Sequence, residues 1–336
     1  MINIETPYLL YLGDAKNLVQ AKTAAGIAYF RPDQCTGYCR LPNAEAKIDN
    51  LPELSIEKAK EKGAKTFVIG LANQGGFIPE NWIEDIISAI KLDFNIASGM
   101  HERLEDVKVI AEHAKTYNVK LYNVRHYSDS LPVGNGTPRL GKRILTVGTD
   151  CSTGKMYTAL KIQEEMQKRK LKSDFVATGQ TGILVSGKGI SIDAVAADFI
   201  SGTAEHLSPS NQETDFYIVE GQGSLYHPSY AGVSLGLLHG SQPDYIVMCH
   251  DYSRKHIRHL KNYSLPDIKD CIKTNLEMGK LTNPNIKCIG ISVNTSSIGD
   301  EESKIYLSKL EKEIGLPATD PCKFGVTKLV DSICPN

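Results

Sequence analysis

No apolar run in this sequence approaches the roughly 20 residues that a bilayer-spanning helix needs, so no membrane partner is expected. The N-terminus, MINIETPYLLYLGD, lacks a basic stretch followed by a long apolar one, so no signal peptide is expected. Neither sign of charge is in excess: the formal net charge is −1, which gives no surface for nucleic acid or anionic lipid. The eight cysteines form no C-x-x-C pair, which argues against a zinc or redox site and assigns no metal. Scattered thiols in a chain this long point to a reducing, cytoplasmic setting. Internal repeats and low-complexity tracts are absent. The first half also has no G-x-G-x-x-G fingerprint, so no dinucleotide is assigned to it.

What is present is an ordinary globular mix, 41% apolar and 23% charged over 336 residues, too long for one small core. Short apolar runs alternate with helical patterns. Tyr8 to Gly13 (YLLYLG), Thr66 to Gly70 (TFVIG), FNIASG and VKLYNV read as strands. Pro79 suits a first helical turn, and Trp82, Ile83, Ile86, Ile87 and Ile90 then fall on one helix face. A further helix carries Leu104, Val107, Ile110 and Ala114. This alternation predicts an α/β fold with parallel sheets covered on both faces. The proline- and glycine-rich stretch DSLPVGNGTPRLG marks a linker at 129–141, between a Rossmann-like domain at 1–128 and a second α/β domain at 142–336. In the second domain KRILTVG, DFYIVE, DYIVMCH and KCIGISVN read as strands, each ending near a polar residue where ligands of parallel sheets collect.

The strand KRILTVG runs into GTDCSTGK and then a helix, the context of a phosphate-binding P-loop. Gly148 turns the chain off the strand and Gly154 brings the backbone close to an anion. Successive amides from about Asp150 to Lys155, through Cys151, Ser152 and Thr153, point into one concavity, and the Lys155 side chain adds a full charge. Five residues separate the glycines where four are usual in P-loops, and this longer form, with Thr149 and Asp150 after the first glycine, resembles dethiobiotin synthetase. Met156 stands where nucleotide-hydrolysing relatives carry the hydroxyl that holds Mg²⁺, and a thioether does not serve a hard cation. Its expected role is packing on the core side of the helix, with Thr158 facing elsewhere. The loop then suits a nucleotide held as a handle better than one cleaved as fuel.

Other strand ends supply candidates. Glu220 closes DFYIVE as a possible acidic catalytic group, with Gln222 and the amides near Gly223 as donors to an oxyanion, and His227 as a general base. Gln180 and Thr181, in ATGQTGILVSGKGISID, form either a site wall or a surface loop. CHDYSRKHIRHLK is either a solvated helix face or a basic lip, with Arg254 best placed to meet a carboxylate. Asn294 reads either as a contact to a base edge or as a turn residue. RPDQCTGYCR and ANQGGF read as strand-end loops.

GTDCSTGKM, TGQTGILVSGKGISIDAVAADF, VEGQGSLYHPSYAGVSLGLLHGSQPD and TDPCKFG together resemble a bacterial and archaeal family known as a domain of unknown function. Its members pair a Rossmann-like N-terminal domain with a P-loop domain similar to dethiobiotin synthetase. The resemblance covers essentially the whole chain and includes methionine after the lysine. It implies an N-acetyltransferase that uses acetyl-CoA, with D-glutamate as acceptor and the coenzyme pyrophosphate on the P-loop. Two alternatives stand beside it: a ligase or kinase using ATP with Mg²⁺, and a nucleotide-binding regulator without turnover. A small molecule is the expected partner, and a homo-oligomer is left open.

Overall fold

The computed structural model describes residues 3–71, 75–127 and 130–334, so Ala72, Asn73 and Gln74 of the glycine-rich ANQGGF segment lie outside it. It divides into two compact units.

The N-terminal unit comprises residues 1–128 together with 179–194. Its strands are β1 (Tyr8–Tyr11), β2 (Cys35–Cys39), β3 (Thr66–Ile69), β4 (Asn95–Ser98) and β5 (Leu121–Asn123). They form one sheet in the order β2-β1-β3-β4-β5, every pair parallel. Full burial on both faces explains why β1 and β3 are continuous apolar runs rather than alternating ones. The stretch RPDQCTGYCR, expected as a loop, holds the edge strand β2. The helix Glu80–Lys91 follows Pro79 and buries Trp82, Ile86, Ala89 and Ile90. The next helix, Lys108–Tyr117, begins later than the sequence suggests, because Leu104 belongs to a preceding 3-10 turn and Val107 is the cap.

The second unit comprises residues 129–178 and 195–336. Its sheet strands are β6 (Lys142–Gly148), β7 (Ser173–Val176), β8 (Phe216–Val219), β9 (Tyr245–Asp251), β12 (Lys287–Asn294) and β13 (Ala318–Thr319). A separate antiparallel hairpin is made of β10 (His256–Ile257) and β11 (Leu260–Ser264). The sheet runs β13-β12-β9-β6-β8-β7, all parallel. β6 is first in sequence yet central in space, so the connections diverge on either side of it. That is where open α/β sheets take ligands.

The Pro- and Gly-rich stretch before β6 carries neither helix nor strand over 130–140. It is nonetheless pinned: Glu205 accepts the amides of Asn135 and Gly136, and Arg139 reaches the carbonyls of Glu205, Ser208 and Gly240. Gly202 is obligatory there, since a Cβ would stand 2.0 Å from the carbonyl oxygen of Pro132. Among the described residues no helix is long and apolar enough to cross a membrane. The eight cysteines are free thiols.

Candidate functional site

The loop after β6 folds as a cradle because two of its residues take left-handed backbone. Ser152 has φ 53° and Gly154 has φ 91°. Alternating backbone hand turns successive N–H groups inward, which makes an anion-binding nest. The helix Lys155–Lys168 starts at once, so its unpaired first-turn amides face the same space. Gly148 needs to be glycine: a Cβ there would meet Thr153 Oγ1 at 2.7 Å and Lys155 Nζ at 2.9 Å. Gly221 is tighter still, with a Cβ 1.5 Å from the Thr146 carbonyl oxygen and 3.1 Å from Lys155 Cδ. The stem of Lys155 therefore passes directly over the Gly221 backbone.

Lys155 is buried, and its Nζ donates to the Asp150 carbonyl at 2.8 Å. Burial pulls its pKa down, and the nearby Cys151, Cys249 and Asp150 oppose that pull. Thr149 is buried with Oγ1 3.1 Å from Nδ1 of His250, at the end of β9. Burial pushes the His250 imidazole down to about 4, against the attraction of Asp251, so the ring is neutral near pH 7. Met156 shares a helix face with Ala159 and Leu160 but stands in the first turn and is only half-buried. Thr158 is the buried one, and its hydroxyl donates to the Gly154 carbonyl and pairs with Ser292 Oγ at 2.7 Å. Thr158 thus faces Ser292, elsewhere as expected, whereas Met156 packs less fully than a core-side residue would. Neither offers an oxygen at the position left by the usual hydroxyl.

Arg254 does not lie on a helix face. It precedes the β10–β11 hairpin, whose basic residues reach back to the cradle. Its Nη1 donates to Asp150 Oδ2 at 2.8 Å and to the Cys151 carbonyl at 2.6 Å. Arg258 donates its backbone N–H to the same Oδ2 at 2.7 Å, and its guanidinium bonds Ser152 Oγ. Arg258 is a site residue that the sequence reading grouped with other basic residues but did not single out.

Glu220 is buried just past β8. Its Oε2 accepts the Thr178 amide at 3.0 Å, while Thr178 Oγ1 donates to the Glu220 carbonyl and receives Gln222 Nε2 at 3.2 Å. Gly223 has φ 59°, and its turn brings Ser234 Oγ onto the Gln222 carbonyl at 2.8 Å. His227 is buried, and its Nδ1 accepts the Ser229 amide at 3.1 Å. A ring nitrogen that accepts an N–H carries no proton, so in the neutral ring Nε2 does. His227 therefore presents a donor where the sequence suggested a base. A His227 ring nitrogen, a carboxylate oxygen of Asp150 and the sulfur of Cys151 lie within 4.8 Å of one another. Burial raises the Cys151 pKa, opposed by Lys155, Arg258 and Arg254, so the thiolate that a metal needs is disfavoured.

Asn294 ends β12, and its Oδ1 accepts the Ser296 amide at 3.1 Å, the geometry of a turn-forming asparagine. Gln180 and Thr181 belong to the N-terminal unit, on a helix, Gln180–Ser186, rather than a loop. Thr181 Oγ1 lies 3.2 Å from Thr23 Oγ1. With its amide nitrogen toward the Gly99 carbonyl, 2.7 Å away, Gln180 turns its oxygen to Arg125. Arg125 in turn pairs with Asp193 at 2.7 Å.

Residues 39–127 match the Rossmann-like N-terminal domain of a family described as a domain of unknown function, DUF1611, and residues 132–330 match its P-loop domain. The chain belongs to the DUF1611 family. A crystal structure of a DUF1611 family protein from Anabaena variabilis superposes with a TM-score of 0.89 at 27% identity, over 99% of this chain and 100% of that one. Two relatives of the DUF1611 chain, from Tritonibacter scottomollicae and a Pseudoalteromonas species, are each named D-glutamate N-acetyltransferase. Both are 46% identical, over 98% and 99% of this chain and 99% and 100% of their own lengths. The two-domain α/β architecture expected from the sequence is that of the family.

Proposed function

We propose that this protein is an enzyme, an acyltransferase that moves an acetyl group from acetyl-CoA to the amine of D-glutamate. The observation that carries the reading is the 46% identity, over essentially the whole chain, to two proteins bearing that name. The site chemistry supports it. The nest at Gly148–Lys155 suits the coenzyme pyrophosphate, which needs to be gripped and not cleaved. Acetyl-CoA supplies the activated acetyl group as a thioester. Amide formation breaks the thioester C–S bond and releases the coenzyme as a thiol, and the amine loses one proton on the way. Glu220, an acidic group at a strand end, is the acceptor for that proton and returns it to the departing sulfur, which leaves as the thiol. The Nε2–H of His227, together with the amides around Gly223, donates to the tetrahedral oxyanion. His227 acts here by a fixed donor, not by gaining a proton.

The direct test is a mass-spectrometric search for N-acetylated products, with acetyl-CoA and a panel of D- and L-amino acids. N-acetyl-D-glutamate is the expected product, and its absence alongside turnover of another amine would correct the acceptor. Glu220→Gln is expected to lower kcat by about 10²–10⁴ with little change in coenzyme affinity. An equal loss in both would remove Glu220 from the proton-transfer role.

A further inference from the structure

A P-loop ordinarily shares the charge of its phosphates with a magnesium ion, and the acidic side chains this chain offers for one are Asp150, within the loop, and Glu220, at the end of β8, whose Oε2 already accepts the Thr178 amide. The residues present do not fit that ion. Asp150 is fully buried, and both its carboxylate oxygens are already engaged. Oδ1 accepts the Cys151 amide at 2.6 Å. Oδ2 accepts both the Arg254 guanidinium at 2.8 Å and the Arg258 amide at 2.7 Å. Magnesium demands a near-octahedral set of oxygens at about 2.0–2.1 Å, and entry at Asp150 would mean breaking those bonds inside the fold. Met156 supplies no oxygen, and the Thr158 hydroxyl is committed to Ser292 and the Gly154 carbonyl.

Resting on the reading of the loop as a diphosphate cradle, we infer that Arg254 is its resident counter-cation and stands in for magnesium. The guanidinium is anchored from three directions, by Asp150 Oδ2, by the Cys151 carbonyl at 2.6 Å and by Asp251 Oδ2 at 3.5 Å. A group so held adds fixed positive charge to the nest without ordering a ligand shell of its own. Unlike magnesium, it needs no recruitment from solution. The hairpin β10–β11 continues the same device by placing the Arg258 side chain on Ser152, within the loop.

The experiment is calorimetric titration of the full chain with inorganic pyrophosphate and, separately, with coenzyme A, in chelator and in excess magnesium. Wild-type protein is expected to bind pyrophosphate in chelator as tightly as in magnesium, after correction for the ion bound by free pyrophosphate. Arg254→Ala loses about tenfold or more in chelator, and magnesium restores part of it, because Asp150 Oδ2 then lacks its guanidinium partner and keeps only the Arg258 amide. Arg254→Lys, which keeps the charge but not the planar fork, falls between. Magnesium-dependent pyrophosphate binding by the wild type overturns the inference, as does absence of binding in both buffers. So does wild-type affinity in chelator for the Ala and Lys variants together. The wild-type comparison decides even where the alanine variant fails to fold. Metal-free pyrophosphate binding without coenzyme A binding would uphold the counter-cation and sink the acetyl-CoA reading. Coenzyme A binding that requires magnesium would do the reverse.

Discussion

Both units are built on all-parallel sheets, yet the carboxyl ends of those sheets have been put to opposite uses. In the N-terminal unit the strand order β2-β1-β3-β4-β5 puts a topological switch point between β1 and β3, where a ligand crevice is expected. There Gly13 lies so close to the Trp82 indole that a Cβ would come within 2.8 Å of it, and Gly70 is closer still to Ala24, at 2.4 Å. Nearby charge is settled internally, with Arg125 bonded to Asp193 and to Gln180. In the P-loop unit the glycines at the equivalent place, Gly148 and Gly221, make room for a lysine stem and for a ring of amides. Its charged groups gather around the loop, with Lys155, Arg254 and Arg258 set against Asp150, Asp251 and Glu220. A glycine after a parallel strand thus means tight packing in one sheet and room for a lysine stem and a loop of N–H groups in the other. What separates the cases is whether the space gained is filled by carbon or lined with N–H.

The contrast is broken most severely at Gly221. Gly221→Ala puts a methyl group 1.5 Å from a backbone oxygen that has nowhere to go, so a loss of at least about 3 kcal/mol is expected, with coenzyme binding lost too. Chemical denaturation beside calorimetry reads both. A variant that is stable and binds normally would show that the lysine stem does not need that passage.

Acid probes the same unit without a mutation. The His250 imidazole, held near 4 when folded against about 6.5 when free, binds a proton in the unfolded chain first. Its contribution to stability is complete above pH 6.5, declines as pH falls, and is exhausted once pH passes the folded value near 4. The full span corresponds to about 3 kcal/mol, an order-of-magnitude figure. Denaturant midpoints measured across that window should fall on acidification, and His250→Asn should flatten the slope. An unchanged slope in that variant would place the acid sensitivity on other groups.

How much of this the sequence disclosed depended on distance along the chain. The cradle was legible because strand, loop, lysine and helix are contiguous, and each residue type has one local job. The parallel sheets were legible because strands buried on two faces read as unbroken apolar runs. The hairpin was not, since β10 has two residues, β11 is largely exposed, and neither shows an alternating pattern. Its purpose emerges only with Asp150, 104 residues from Arg254. The segment at 179–194 was opaque for the same reason, because Arg125 meets Asp193 across 68 residues. The Nε2–H tautomer of His227 was hidden too, although its cause is only two residues away. A backbone amide donating to Nδ1 has no signature in residue identity.

The smallest expected effect sharpens the comparison from the N-terminal side. Arg125→Ala removes the partner of Asp193 and an anchor of the Gln180–Ser186 helix. The Arg125 side chain is 10% exposed but that of Asp193 is 36% exposed, so water takes up part of the loss. A cost of about 1–2 kcal/mol is expected, below that of a fully buried pair. The argument that these charges are structural requires that the Kd for coenzyme A stay as in the wild type while the denaturant midpoint falls. If coenzyme affinity drops instead and stability holds, the carboxyl end of the first sheet takes part in binding, and the division of labour drawn between the two sheets is wrong.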